Sequence, residues 1–245
     1  MDKRKTVDNF QQQGVLITGA SSGFGKSLAC AFAQAHYRIV AHGMDESRLR
    51  DVQQEIEAET SSKIFTVVAD LRNSDGVRIV AESMREHHVN ILINNAAVNP
   101  ELHSGKLITD IKEIQNIITI NTSALIALSM SAYEQFASAD GGLIVMVNSV
   151  AGLKGSAHES VYAASKFGVR GFSESVKEAW RQQGVRLMDV YSGGIATGMS
   201  VGRSDKDSLI DPDELARYIV QAAAPESFFV RELHVQKTLN GSGRA

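Results

Sequence analysis

Seven short apolar or β-branched runs punctuate this chain, with helix-patterned segments between them: Gly14 to Thr18, Arg38 to His42, Ile64 to Ala69, Ile91 to Asn94, Leu143 to Asn148, Arg186 to Tyr191 and Arg231 to Val235. Runs as continuously apolar as Leu143 to Val147 suit strands covered on both faces. Helical intervals of this length between consecutive strands require parallel crossovers. The pattern therefore predicts an α/β fold, a doubly wound parallel sheet of about seven strands with helices on both sides. Helix starts are marked by Asp45, by Asn73, and by Asp211 followed by Pro212 and two further acids, which suit the positive end of a helix dipole. No repeat with a period of about 20 to 50 residues interrupts this alternation.

At 245 residues and 43% hydrophobic composition, the chain fits one domain spanning 1–245, and no linker divides it. Residues 1–12 and 240–245 are expected to be flexible. A net charge of −3 provides no bulk attraction to nucleic acid or to an anionic membrane. The basic start, Met1 to Asn9, has no apolar segment behind it and reads as neither secretory signal nor anchor. Cys30 is the sole cysteine, so no internal disulfide can form; it reads as a packed core thiol in a cytoplasmic protein. A small-molecule partner is the expectation that remains.

Chemistry enters at two places. Val15 to Thr18 runs into Gly19, Ala20, Ser21, Ser22, Gly23, Phe24 and Gly25, and then into a helical pattern through Ala35. This strand, glycine turn and helix form the context of a dinucleotide site. Gly19 permits the tight turn, Gly23 lets the backbone approach a pyrophosphate, and Gly25 allows close packing of helix on strand. Further along, Tyr162 and Lys166 are four apart, one turn on one helical face, and Ser149 stands thirteen positions before the tyrosine. A phenol titrates near about pH 10, and a cation held within roughly 4 to 6 Å favours the phenolate. The spacing thus predicts a tyrosine able to trade protons near neutrality. His87 and His88 have no further ligand at metal spacing and read as a solvated loop, so no metal site is expected; His158 lies in a loop between Ser149 and Tyr162.

Together, Thr18 to Gly25, Asn94 to Ala97, Asn121, Ser149 and Tyr162-x-x-x-Lys166 stand in the order and spacing of the short-chain dehydrogenase/reductase family, which the chain resembles from about Gly14 to Lys237. The resemblance implies a Rossmann-like fold and an NAD(P)-dependent oxidoreductase. Such an enzyme moves hydride between nicotinamide and a small carbonyl or secondary alcohol. Tyr162 is implied as general acid/base, Lys166 as the group that lowers its pKa and holds the nicotinamide ribose, and Ser149 as hydrogen-bond donor to the carbonyl oxygen. Asn121, expected on a long helix, is implied to hold a water linking Lys166 to solvent. Asp70 and Leu71 are implied to lie near the adenine. Asn95 and Ala96 are implied to support the turn and line the adenosine ribose, and Gly193, Ile195 and Thr197 to meet the nicotinamide end.

Departures from the family pattern bear on the coenzyme. Ala97 replaces a glycine, and Ser192 replaces the proline of the turn after the sixth strand. Gly43 and Met44 stand where the 2′ position is read; no carboxylate there repels a 2′-phosphate, so NADP(H) is favoured over NAD(H). Asp45 reads as a helix cap and Arg48 as a solvated charge one turn on. The segment between Met199 and Asp211, where the family places its substrate lid, is short and polar, implying a small or partly exposed substrate. Apolar residues on several sides of 108–136 and 161–180, helices that form a two-fold interface in relatives, imply a homodimer or homotetramer. Two other readings use the same scaffold: a nucleotide-binding regulator without redox chemistry, and a redox-neutral lyase or dehalogenase. The complete set of Asn121, Ser149, Tyr162 and Lys166 argues against the first, and the retained glycines and Thr197 against the second.

Overall fold

The computed structural model describes residues 13–60, 62–104 (103 and 104 without their side chains), 106–200, 209–225 and 227–238. The expectations for 1–12 and 240–245, and for most of the segment between Met199 and Asp211, lie outside the described residues. The chain runs β1 (Gly14–Ile17), α1 (Gly23–Gln34), β2 (Arg38–Gly43), α2 (Glu46–Thr60), β3 (Ile64–Val68), α3 (Ser74–Glu86) and β4 (Val89–Asn94). It continues through α4 (Pro100–Ser104), α5 (Ile111–Ile118), a π-helical segment (Thr119–Ser123), α6 (Ala124–Ala137), β5 (Gly142–Ser149), α7 (Ser160–Gln182), β6 (Val185–Ser192), α8 (Pro212–Ala223) and β7 (Glu232–Val235).

All seven strands lie in one sheet of order β3-β2-β1-β4-β5-β6-β7, and every pairing is parallel. The order reverses between β1 and β4, which opens a crevice at the carboxyl ends of the strands. Alternate strand residues feed two cores. Val15, Ile17 and Ile39 pack with Leu28 and Phe32 of α1 and Leu215 and Ile219 of α8; Leu16, Val40 and Leu92 pack with Met84 of α3, Leu128 and Phe136 of α6 and Trp180 of α7. Each such fully buried side chain contributes about 1.5–3 kcal/mol, enough to hold the strand ends that carry the polar residues.

Local signals placed the helix starts. Asn73 Oδ1 accepts from Gly76 N at 2.7 Å, Asp211 Oδ1 from Asp213 N at 2.8 Å, and Asp45 Oδ1 from Arg48 N at 3.1 Å. Two readings need correction. The helix expected to carry Asn121 without a break is interrupted by the π-helical segment, whose wider turn sets Asn121 at its centre. Cys30 is half-buried rather than enclosed: its thiol meets Glu59 Oε2 at 3.7 Å, and burial together with that carboxylate raises its pKa. His87 closes α3 and lays its ring on Phe65, with centroids 4.3 Å apart.

Candidate active site

The glycine turn is fastened from below. Thr18 Oγ1 accepts from Asn95 N at 2.9 Å and Ala96 N at 3.0 Å, while Asn95 Nδ2 donates to Thr18 O at 2.9 Å. Gly19 takes φ +69°, a region that disfavours side chains, and a Cβ on Gly25 would collide with the Gly19 carbonyl oxygen. Ser22 caps α1 in extended conformation without a side-chain hydrogen bond, and the first turn carries no acid. The first turn of α1, free of a side-chain cap, lines the cleft, and its N–H groups suit a phosphate. Across from them, Thr197 Cβ lies 3.3 Å from where a Gly23 Cβ would stand, so the 193–197 turn closes over the glycine turn. Gly193 N anchors that turn to Val235 O at 2.8 Å, and Ile195 bridges Ile210. Ala97 needs no left-handed backbone, so its extra methyl is accommodated without strain.

Sequence reasoning passed over His42, which read only as a strand residue. Its ring is buried; Nδ1 accepts from Gly19 N at 3.4 Å, and Nε2 lies 3.1 Å from Ala69 O. A carbonyl can only accept, so the proton sits on Nε2 and the neutral imidazole ties the glycine turn to the end of β3. Burial pushes its pKa down to about 4. At the same rim Asp70 is gripped by Arg72, with Nε–Oδ1 at 2.9 Å and Nη2–Oδ2 at 2.7 Å, which lowers the carboxyl pKa. Arg72 Nη2 also reaches to 3.5 Å from Met44 Sδ, and both line the cleft with Arg48 and Leu71. Arg72 is a second residue the motif reading missed.

At the far end, β5 delivers Ser149 and α7 delivers Tyr162 and Lys166. Ser149 Oγ accepts from Ala151 N at 3.1 Å, and the nearby Ser149 hydroxyl favours the phenolate of Tyr162. The expectation that Lys166 brings the phenol toward neutrality is not met. Burial dominates and pushes Tyr162 up to about 12, while Lys166, 2% exposed, is lowered to about 8. Its Nζ donates to Val147 O at 2.9 Å and stands 5.7 Å from the centre of the Tyr162 ring. Asn121 Oδ1 accepts from Val98 N at 2.8 Å and Nδ2 donates to Val98 O at 2.9 Å and Ser165 Oγ at 3.1 Å, so its amide clamps the loop after β4.

Gly19, Ser21, Ser22, Gly23, Phe24, Gly25, Asp70, Leu71, Asn95, Ala96, Ser149, Tyr162, Lys166, Gly193, Ile195 and Thr197 all line one cleft of about 1010 Å³. Asn121 is buried directly behind its wall. The positive-φ turn, the uncapped helix end and a glycine-only approach together fit a dinucleotide lying from Arg72 to Tyr162.

The sequence model of the family described as short chain dehydrogenase matches residues 13–208. "Dehydrogenase/reductase SDR family member 7B" of Danio rerio is 31% identical over 87% of this chain and 75% of its own length. A sepiapterin reductase of Chlorobaculum tepidum is 30% identical over 91% of this chain and 96% of its own. The crystal structure of a metagenomic short-chain oxidoreductase in complex with NADP superimposes with a TM-score of 0.80 at 28% identity, covering 93% of this chain and 98% of that one.

Proposed function

The chain belongs to the short-chain dehydrogenase family, and from that premise we propose that it is an NAD(P)-dependent oxidoreductase acting on a small carbonyl or secondary alcohol, with Tyr162 as its general acid/base. The observation that carries this reading is the meeting of Ser149, Tyr162 and Lys166 with the glycine turn in one cleft. The nicotinamide, when bound, supplies or takes the hydride. In reduction, Tyr162 gives its hydroxyl proton to the substrate oxygen as that oxygen gains charge, and Ser149 steadies it with a hydrogen bond. Lys166, buried beside the ring, holds the ribose, and Asn121 keeps the loop after β4 against α7.

Several finer readings belong to the same proposal. NADP(H) is the preferred coenzyme, supported by Met44 in place of a carboxylate, by Arg48 and Arg72 on the cleft wall, and by the NADP-bound relative. The protein works as a homodimer or homotetramer; Ile111, Met130 and Phe167 on α5, α6 and α7 are exposed apolar residues that a partner copy would cover. Among the described residues no helix is long and apolar enough to cross a membrane, and the lone cysteine agrees with a cytoplasmic site of action. The deciding experiment is a carbonyl and alcohol panel followed at the nicotinamide absorbance band with both coenzymes, with Tyr162→Phe as control. Turnover should fall about 100-fold or more in the control; equal rates would remove Tyr162 from its role.

A further inference from the structure

The helix that carries Tyr162 does not cap itself. At the head of α7, Glu159 occupies the cap position with φ −143° and ψ 43° and makes no side-chain cap bond; its carboxylate instead accepts from Asn99 Nδ2 at 2.8 Å. The first N–H groups of the helix are met by a residue 60 positions earlier. Glu101 Oε2 accepts from Val161 N and from Tyr162 N, each at 3.1 Å, and Oε1 accepts from Ser160 Oγ at 3.2 Å. Glu101 is 1% exposed. A carboxylate this deep is sustained by two backbone N–H groups and the positive end of a helix of 23 residues. The segment that bears Glu101 also bears Asn95 and Ala96, fastened to Thr18 under the glycine turn, and Val98, clamped by Asn121. One short stretch therefore touches the coenzyme cradle, the π-helical segment and the backbone of the proton donor.

We propose that Glu101 is a positioning residue for the reaction: by holding the Tyr162 backbone N–H, its carboxylate sets where the phenol stands relative to the coenzyme cradle. This rests on the oxidoreductase reading above. It differs from a plain helix cap because the anchor is the loop that shapes the nucleotide site, so its loss displaces the phenol without dismantling that site. A misplacement of about 1 Å costs up to about 100-fold in rate. The Gln side chain reaches as far as Glu, keeps one acceptor for the amides and can donate to Ser160 Oγ, since a hydroxyl accepts as readily as it gives. The Asp side chain is one methylene short.

The test compares Glu101→Ala, Glu101→Gln and Glu101→Asp with the parent protein. It measures carbonyl reduction, calorimetric NADPH affinity, and hydrogen exchange at the Val161 and Tyr162 amides. In the Ala and Asp variants kcat should fall about 10- to 100-fold, with coenzyme Kd within about twofold and exchange at both amides faster; Gln should recover kcat to within about threefold. Unchanged kcat in a folded Ala variant overturns the proposal, as does a parallel loss of kcat and coenzyme affinity. If the Ala variant does not fold, the contrast between Gln and Asp decides, and equal rates for those two overturn it. If the parent protein reduces no carbonyl, the oxidoreductase reading fails separately. Exchange then decides the anchoring: unchanged protection at Val161 and Tyr162 in Glu101→Ala or Glu101→Asp overturns it, and faster exchange with NADPH affinity kept upholds it.

Discussion

The Lys166 ammonium stands 5.7 Å from the centre of the Tyr162 ring and gives a hydrogen bond to the Val147 carbonyl oxygen at 2.9 Å. Lys166 is buried and Tyr162 is half-buried at the cleft wall, and for each the loss of hydration outweighs the interactions that favour its charge. The phenol rises to about 12 and the ammonium falls to about 8.

A pH profile follows. Alcohol oxidation needs the phenolate, so kcat/KM, which reports the free enzyme, should keep climbing with pH through about pH 9 without a plateau. Reduction needs the protonated phenol and should show no loss assignable to Tyr162 over the same range. Stopped-time assays in both directions from pH 6 to pH 10 measure this. A plateau of the oxidative profile near pH 7 would mean that the cation governs the phenol after all.

Lys166 also bears on stability. Its folded pKa of about 8 lies below the 10.5 of a free lysine, so the unfolded chain binds the extra proton between those values. The cost of charging it in the fold is fully present below about pH 8 and is relieved as pH climbs toward 10.5, amounting to about 3 kcal/mol. Lys166→Met should therefore be inactive yet more stable than the parent at pH 7, by about 1–3 kcal/mol once the lost bond to Val147 is counted. That gain should shrink by pH 10. Urea melts at the two pH values decide it, and a variant no more stable at pH 7 would refute the cost.

The strands, the glycine turn and the Tyr–Lys pair were legible because each rests on local spacing: Leu143 to Val147 is apolar at every position, and four residues make one turn wherever they occur. Burial was not legible. Spacing brought Lys166 close to Tyr162, yet the depth of the pair, which sets both pKa values, depends on the whole sheet. The π-helical turn at Asn121 left no mark, since apolar periodicity hardly separates a helix from one wider turn within it. His42 and Glu101 escaped for a related reason. Their partners, Gly19 with Ala69 and Val161 with Tyr162, are distant in sequence, and no local pattern requires a histidine in β2 or a glutamate in α4.

His42 makes a prediction of the same sign as Lys166 in a lower pH window. Its folded pKa of about 4 lies below the ordinary 6.5, so the unfolded chain binds more protons in that window. The stability from the neutral bridge is present above about pH 6.5 and is lost as pH falls toward 4, where a proton on Nδ1 would face the Gly19 N–H. Between pH 7 and pH 5 the stability of the parent relative to His42→Gln should fall by about 2 kcal/mol. A constant difference would show that the imidazole does not titrate as its burial implies.

Asp189, on β6, carries the reverse sign. It is fully buried, neither carboxylate oxygen has a hydrogen-bond partner among the described residues, and burial pushes its pKa up to about 7 despite the nearby Ser173 hydroxyl and Lys177. The folded state binds more protons between 3.8 and about 7, so stability falls as pH rises through that window. Asp189→Asn should stabilise the protein by about 1–3 kcal/mol at pH 8, and the advantage should vanish near pH 4. Guanidinium unfolding at both pH values is the measurement, and a destabilised variant at pH 8 would show that the charge is better satisfied than its surroundings indicate.

The proposed preference for NADP(H) rests on the rim where Arg72 meets Asp70 and Met44. The guanidinium already spends its Nε and Nη2 on Asp70, yet Nη2 lies 3.5 Å from Met44 Sδ, at the rim to which the proposed reading assigns the coenzyme's 2′ position. A phosphate there gains a charge-assisted bond from Arg72, whereas a ribose hydroxyl gains little. Arg72→Ala should weaken NADPH binding about tenfold while leaving NADH within about twofold, because one such bond separates the two coenzymes. Met44→Asp should act from the other direction, its carboxylate repelling the phosphate and accepting from the ribose hydroxyls, so that NADH becomes the better coenzyme. Calorimetric affinities for both coenzymes in the two variants settle the matter. Equal losses for NADPH and NADH in Arg72→Ala would confine Arg72 to holding Asp70 in place.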